Sequence, residues 1–299
     1  MKRLTRDVLA LNIIAWAVAG VVTLVCLLPF IMIFSGSFST ETEIIRNGFS
    51  LLPQNFSVEA YLTVFERPEI IMRAYANTLL LVATGGAAGL FLVAMTAYVL
   101  QRKDFEWRNK FSFFFYFTTL FSGGIVPYYI LMTQTLKLKN NYLALIIPLL
   151  FSVFNLLVMK SFMSGVPDAL TDAARIDGCG DFSIFARIYL PLSKPALATI
   201  GLFLVLAYWN DWYNAMLYIS KDELYPLQYF LYQKVNNIEA YKKIIAQQQG
   251  AAAMANLIEM PTQTLKMALT VVVTGPIILA YPFAQKYFVQ GMTIGAVKG

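Results

Sequence analysis

The run Tyr208-Trp-Asn-Asp-Trp-Tyr213 sets two amide or carboxylate side chains between aromatic rings inside an otherwise apolar stretch. Aromatic faces stack on the C–H faces of sugars while amides bond their hydroxyls, so this grouping suits recognition rather than bond cleavage. Catalytic chemistry is poorly supplied elsewhere. The 299 residues include no histidine, which removes the commonest general base and metal ligand together. The two cysteines, Cys26 and Cys179, have neither CxxC spacing nor a disulfide framework around them. No GxxxxGK[ST], GxSxG or HExxH run occurs. The chain therefore has no P-loop for ATP, no metal site and no catalytic residue to offer. Its energy source must be an ion gradient or a separate ATPase subunit.

The elements that position these residues are set by the solvent. Hydrophobic residues make up 58% of the chain and charged ones 13%, with a mean hydropathy of +0.61. Soluble domains carry roughly 25% charge. Crossing about 30 Å of hydrocarbon takes roughly 20 apolar helical residues. Six stretches qualify, at about 12–34, 75–100, 111–133, 141–163, 196–218 and 266–288, the third interrupted by Gly123, Gly124 and Pro127. The expectation is an all-α, multi-pass membrane protein forming one domain over 1–299. The apolar part of the first stretch exceeds a signal peptide's, so it reads as a retained anchor. With the N-terminus inside, the inner segments hold 13 of the 23 basic residues and carry a net charge of +6, against 0 outside. Both termini are thus expected in the cytoplasm. The basic residues are scattered among spans, so the overall +6 reflects loop bias and not nucleic-acid binding. Outside lie two longer segments, about 35–74 and 219–265. The second contains an amphipathic stretch from Leu227 to Gln249, readable as a helix against the outer face or as a contact for an extracellular partner.

Depth within the bilayer selects candidate path residues. Tyr208 lies about 16 Å along the fifth span from Leu197, and Asn155 about 12 Å along the fourth from Met163, both near the midplane. Polar groups there are costly unless they face the bundle interior or a water-filled cavity. Asn155, Tyr208, Trp209 and Asn210 are accordingly candidates for a translocation path. The alternative for each is an aromatic belt or an interhelical hydrogen bond.

Between the fourth and fifth spans runs Val166-Pro-Asp-Ala-Leu-Thr-Asp-Ala-Ala-Arg-Ile-Asp-Gly-Cys-Gly-Asp181 and, later, Leu190-Pro-Leu-Ser-Lys-Pro195. Pro167 and Asp168 favour a helix start, Gly178 and Gly180 a stop. Leu170, Ala173, Ala174 and Asp177 have i, i+3, i+4, i+7 spacing and share a face whose small alanines allow close approach by another surface. A second helical stretch, about Phe182–Tyr189, leads to Pro191 and Pro195, which reset the chain into the fifth span. The loop, 164–195, is either an interfacial connector or a docking element.

Asp172-Ala-Ala-Arg-Ile-Asp-Gly178 followed by Leu190-Pro-Leu-Ser-Lys-Pro195 resembles the EAA loop of binding-protein-dependent ABC importer permeases. Phe121-Ser-Gly-Gly-Ile-Val-Pro127, Phe154-Asn-Leu-Leu-Val-Met-Lys160, Trp209-Asn-Asp-Trp212 and Gly291-Met-Thr-Ile-Gly-Ala-Val-Lys-Gly299 resemble the carbohydrate, MalG-like branch, within it the LplC/YtcP-like group. The resemblance implies a type I importer permease of six transmembrane helices with a cytoplasmic coupling helix. It implies a second homologous permease, a dimer of ATPase subunits holding ATP and Mg, and an extracytoplasmic sugar-binding protein as partners in a bacterial cytoplasmic membrane. Leu170, Asp172, Ala173, Ala174, Asp177 and Gly178 would then contact the ATPase, and Lys298 and Gly299 resemble a tail reaching toward it. Asp172 stands where the family has glutamate, one methylene shorter. The rival of another class, an ion-coupled carrier, calls for buried carboxylates and repeated halves. Only Asp211 lies near a span interior and no repeat is visible.

Overall fold

The computed structural model describes residues 6–53, 55–247 and 262–296. The chain opens on α1 (Arg6–Ser37), the short α2 (Glu41–Asn47) and α3 (Glu59–Val64), and the long α4 (Pro68–Gln101). Next come α5 (Arg108–Leu120), α6 (Ile125–Thr135), α7 (Leu143–Leu150) and α8 (Val153–Met163). Then follow α9 (Asp168–Ile176), α10 (Asp181–Leu192), α11 (Lys194–Trp209), α12 (Tyr213–Tyr218), α13 (Leu227–Gln247) and α14 (Gln263–Ala296). Among the described residues no strand forms beyond one antiparallel bridge, Ser39 to Phe56. The all-α class is as expected.

Hydropathy locates the apolar stretches but not their bends. Among the described residues, α1 and α4 are each long and apolar enough to cross a bilayer in one piece. The third expected span is a pair, α5 and α6, bent by 110°, and the fourth is α7 and α8, bent by 48°. The fifth is α11 and α12 separated by Asn210, Asp211 and Trp212. The sixth lies in α14, apolar over Gln263–Leu279. Each break has a local cause. Gly124 takes φ +86°, which side chains disfavour. Ser152, in extended backbone, accepts from the Asn155 amide at 3.4 Å and restarts the helix as α8. The Asp211 carboxylate accepts from the Asn214 amide at 3.1 Å and opens α12. The outer segment expected at 35–74 is also shorter, because α1 runs to Ser37 and α4 begins at Pro68. Proline at the first position, with Glu69 in the first turn, suits a helix start outside the apolar zone.

The contacts divide into two compact units, 1–68 with 233–276 and 69–232 with 277–299. In the first, the most apolar window of α1 has a mean hydropathy of 2.7 and none of it is buried in the chain, so lipid or another protein must cover it. Its last turn packs closely: a Cβ on Gly36 would lie 2.2 Å from Met267 Sδ of α14. Phe38 stacks on Phe56 at 5.6 Å and packs on Tyr61 of α3 at 4.8 Å. Glu41 caps α14 from far along the chain. Its carboxylate accepts from Thr262 Oγ1 (2.7 Å), the Gln263 amide (2.8 Å) and the Thr264 amide and hydroxyl (both 2.9 Å).

The second unit packs around α4. One core cluster joins Val93, Ala97 and Tyr98 to Leu156, Met159, Phe185, Tyr189 and Ile200. Another joins Leu81 to Met132, Leu145, Tyr208, Tyr218 and Tyr229. Close approach depends on Gly85 and Gly89, one turn apart: a Cβ on Gly85 would lie 2.4 Å from the Tyr208 ring, and one on Gly89 2.7 Å from the Leu150 carbonyl. Buried Asn77 donates to the Glu223 and Tyr225 carbonyls (2.8 and 3.1 Å) and accepts from Tyr142 Oη (2.8 Å). It ties the turn after α12 to α4 and to the start of α7.

Burial pushes the Glu41 carboxyl up, but the Gln263 and Thr264 amides and the two threonine hydroxyls outweigh it, and the net shift is downward. A depressed carboxylate stabilises above its unfolded-state value and loses that contribution as pH falls through the folded value. Glu41→Gln is expected to cost about 1–2 kcal/mol at neutral pH. The difference in melting temperature between wild type and variant, followed in detergent from neutral pH downward, should shrink only below about pH 4. A difference that ignores pH counts against this cap.

Candidate functional site

The helix expected from Pro167, Asp168 and Gly178 is α9, with Pro167 before it and Gly178 at φ +81° after it. It is short and strongly two-faced. Thr171 and Ala174 turn inward: Thr171 Oγ1 lies 3.1 Å from Tyr189 Oη, and Ala174 packs on the cluster around Tyr98 and Phe185. Leu170, Asp172, Ala173, Asp177 and Gly178 are exposed. Ala174 thus leaves the face that sequence spacing gave it, because α9 needs one small side chain against its own chain. In its place Ile176 projects, 87% exposed, an apolar residue the spacing argument passed over. Phe182, at the start of α10, is 64% exposed. Helix α10 is also longer than expected, because a π turn over Phe185–Tyr189 lets it run through Pro191 to Leu192. It meets α11 at 84° and so runs across that span.

A polar clamp holds α9 at both ends, and sequence reasoning missed it. At the N-terminal end, Lys103 Nζ donates to Asp168 Oδ2 at 2.6 Å. At the other, Arg175 Nη2 donates to Asp104 Oδ2 at 2.6 Å. Arg102 bonds both oxygens of Asp104 and reaches Asp181 Oδ1 at 2.6 Å. The loop joining α4 to α5 therefore grips the connector between α8 and α11. Hydrogen bonds from Arg102 and Arg175 hold the Asp104 carboxyl well below the usual carboxylate range. Asp104 and, reciprocally, Asp181 push the Arg102 guanidinium up against the opposing effect of burial. Arg102, Asp104 and Arg175 therefore stay charged across the physiological range. Arg102 also lies 5.7 Å over the Tyr98 ring, which packs edge-on to Tyr189 at 4.8 Å.

The candidate path residues separate. Tyr208 is 1% exposed and donates to the Ile146 carbonyl at 2.8 Å, and Trp209 is 5% exposed, so both serve the core. Asn210 is exposed and donates to the Leu206 carbonyl at 3.0 Å, within the last turn of α11. Asn155 lines an open cleft of about 390 Å³ with Ser152, Phe154, Phe203 and Ala207. These four residues do not converge on one site. Lys298 and Gly299 lie outside the described residues.

No protein-family model matches the chain. Individual proteins do. The polygalacturonan/rhamnogalacturonan transport system permease protein YtcP of Bacillus subtilis is 40% identical over 277 residues, 92% of this chain and 94% of that one. The chain belongs to the permease subunits of carbohydrate ABC transporters. Protein LplC of the same organism is 38% identical over 94% of this permease and 92% of its own length. The trehalose/maltose transport system permease protein MalG of Thermococcus litoralis is 26% identical over 94% and 95%. A chain in the crystal structure of a bacterial ABC transporter involved in the import of the acidic polysaccharide alginate superposes with a TM-score of 0.80. It is 29% identical and covers 96% of this permease and 100% of that chain. This permease is a membrane-embedded transport subunit, not an enzyme and not an ion-coupled carrier.

Exposed ion pairs are each worth only about 0.2–1 kcal/mol, so opening one end of the clamp should leave folding and assembly near wild type. Its effect should appear in transport. Asp104→Ala and Arg175→Ala should each lower ATP-dependent uptake by the assembled transporter, by roughly fivefold, and the double variant should be no worse than either. Multiplying losses in the double variant would show that the two side chains act separately.

Proposed function

We propose that this permease, over residues 1–299, forms half of the translocation path of an ATP-driven oligosaccharide importer and takes the stroke of a separate ATPase dimer through α9. The observation that carries this reading is the exposure of Leu170, Asp172, Ile176 and Asp177 on a short helix anchored at both ends. An exposed apolar residue amid carboxylates on an anchored helix suits docking into a groove that offers an apolar pocket and a base. Asp172 would pair with that base, and Gly178 would end the helix in a conformation that proline cannot adopt. The partners are a second homologous permease, the ATPase dimer with its ATP and Mg, and an extracytoplasmic sugar-binding protein. The setting is a bacterial cytoplasmic membrane, six crossings with both termini inside, as the loop charges favour.

Support for the cargo comes from the relatives. One is named for polygalacturonan and rhamnogalacturonan, and the structural neighbour for alginate; all of these polymers contain uronic acids. We take oligosaccharides containing uronic acids as the substrate class. The mechanism is mechanical. Closure of the ATPase dimer moves α9, and the clamp passes that motion to the α4–α5 loop as well as to the spans on either side.

Asp172→Arg and Gly178→Pro are each expected to abolish uptake of a galacturonic acid trimer into vesicles holding the assembled importer, while the amount of permease in the membrane stays unchanged. Normal uptake by both variants would sink the coupling role of α9.

A further inference from the structure

A second cleft, of about 490 Å³, lies where α5 gives way to α6, and α12 forms its other wall. That volume falls within the range of small-molecule pockets, about 300–1,000 Å³. Its lining includes Ser122, Gly123, Tyr128, Tyr213 and Asn214, and no charged side chain among the described residues. Neither the coupling reading nor the four sequence-derived path residues account for it.

Four features point to an occupant. Tyr128 and Tyr213 keep 39% and 43% of their surface exposed, whereas Tyr129 and Trp212 already stack on Tyr218 (5.9 Å) and Tyr232 (4.7 Å). Tyr213 meets Trp212 only edge-on, at 5.9 Å, so both tyrosine rings of the cleft keep surface open. Gly123 has no positive φ, and a Cβ there would meet nothing within 4 Å, so neither backbone nor packing within the chain calls for glycine. What glycine does is leave the cleft open. Asn214 Nδ2 donates to both oxygens of Asp211, at 3.1 Å each, which fixes the amide and leaves its carbonyl oxygen as an acceptor. Tyr218, also lining the cleft, is 1% exposed and its hydroxyl has no hydrogen-bond partner among the described residues. A buried hydroxyl without a partner is costly and calls for one.

Aromatic faces, a fixed amide acceptor, an unsatisfied hydroxyl and the absence of charge match one ligand chemistry, the hydroxyl-bearing face of a pyranose ring. We propose that this cleft is a saccharide subsite of the translocation path. Tyr128 and Tyr213 take the C–H faces, Asn214 Oδ1 accepts from a sugar hydroxyl, and Tyr218 Oη exchanges a hydrogen bond with another. With no cation in the lining, a uronate carboxylate is not bound here, so the subsite reads ring and hydroxyls and takes neutral and acidic units alike. The assignment rests on the importer reading above.

The test uses the assembled importer in proteoliposomes with saturating binding protein, and a galacturonic acid trimer and maltotriose as probes. Tyr128→Ala with Tyr213→Ala should lower uptake of whichever probe the wild type imports by about tenfold, the size of two lost aromatic contacts, with binding-protein-stimulated ATP hydrolysis retained. In a background with Cys26→Ser and Cys179→Ser, Gly123→Cys should react with a maleimide, and the imported sugar should protect it. Wild-type uptake by the double variant, together with unprotected labelling, overturns the subsite while leaving the importer reading intact. Loss of the second permease on purification of the double variant also overturns it, assigning the cleft to subunit contact. A wild-type complex that imports neither sugar defeats the cargo proposed above, and the subsite with it.

Discussion

Backbone polar groups released within hydrocarbon have no water to bond, and each one left unmatched costs several kcal/mol. The second unit interrupts its helices repeatedly, and side chains stand in at the breaks. Ser152 serves the Asn155 amide, Asp211 the Asn214 amide, and Thr78 the Leu227 amide at 2.8 Å. Asn140 accepts from the Ser220 and Lys221 amides at 2.7 and 3.2 Å, and Asn77 serves the Glu223 and Tyr225 carbonyls. At the breaks after α7 and α11 a short polar residue meets the amide the bend frees, and Asn140 and Asn77 meet the freed amides and carbonyls of the turn after α12. The same bends open both clefts, since broken helices line cavities where continuous ones close-pack. Architecture and clefts therefore have one physical origin.

At the other end of that unit, where water is available, attachment is electrostatic. Arg102, Asp104, Arg175 and Asp181 are two cations and two anions within hydrogen-bond reach, and Lys103 with Asp168 adds a third pair. Each pair is weak alone because solvent screens it. What the set supplies is geometry: α9 is held at its first and its last turn, so a push on its exposed face moves the helix as a body. Contacts continue inward from Thr171 to Tyr189, from Tyr189 to Tyr98, and from Tyr98 to Arg102. That closed circuit ties α9, α10 and α4 together. It gives the exposed face of α9 a second attachment besides its covalent one.

How much of this was legible follows from the range of each determinant. The bounds of α9 were readable because Pro167, Asp168 and Gly178 act on their own neighbours. The apolar stretches were readable because length and composition decide them. Bends were not, since a hydropathy window averages over direction. Tyr208 looked like a path residue from its depth, but its orientation is decided by Gly85, 123 positions earlier, which leaves room for its ring. Ala174 was placed on the outer face by spacing, and its inward turn depends on the cluster around Tyr98 and Phe185. The clamp was invisible for the same reason: Asp104 and Arg175 are 71 residues apart, and in the sequence they register only as loop charge.

The substitution of aspartate for the family's glutamate takes on meaning from this geometry. Asp168, Asp172 and Ile176 follow one another at i, i+4 spacing, one stripe along α9. Asp168 is held by Lys103, while Asp172 and Ile176 stand exposed. A flexible, longer carboxylate reaches a base at the cost of rotamer freedom, whereas a shorter one must be brought to it by its backbone. A helix pinned at both ends can bring it. In the coupling role proposed above, the short side chain on an anchored α9 would lose little entropy on pairing, with Ile176 one turn later on the same stripe. Position would then do the work that reach does with glutamate.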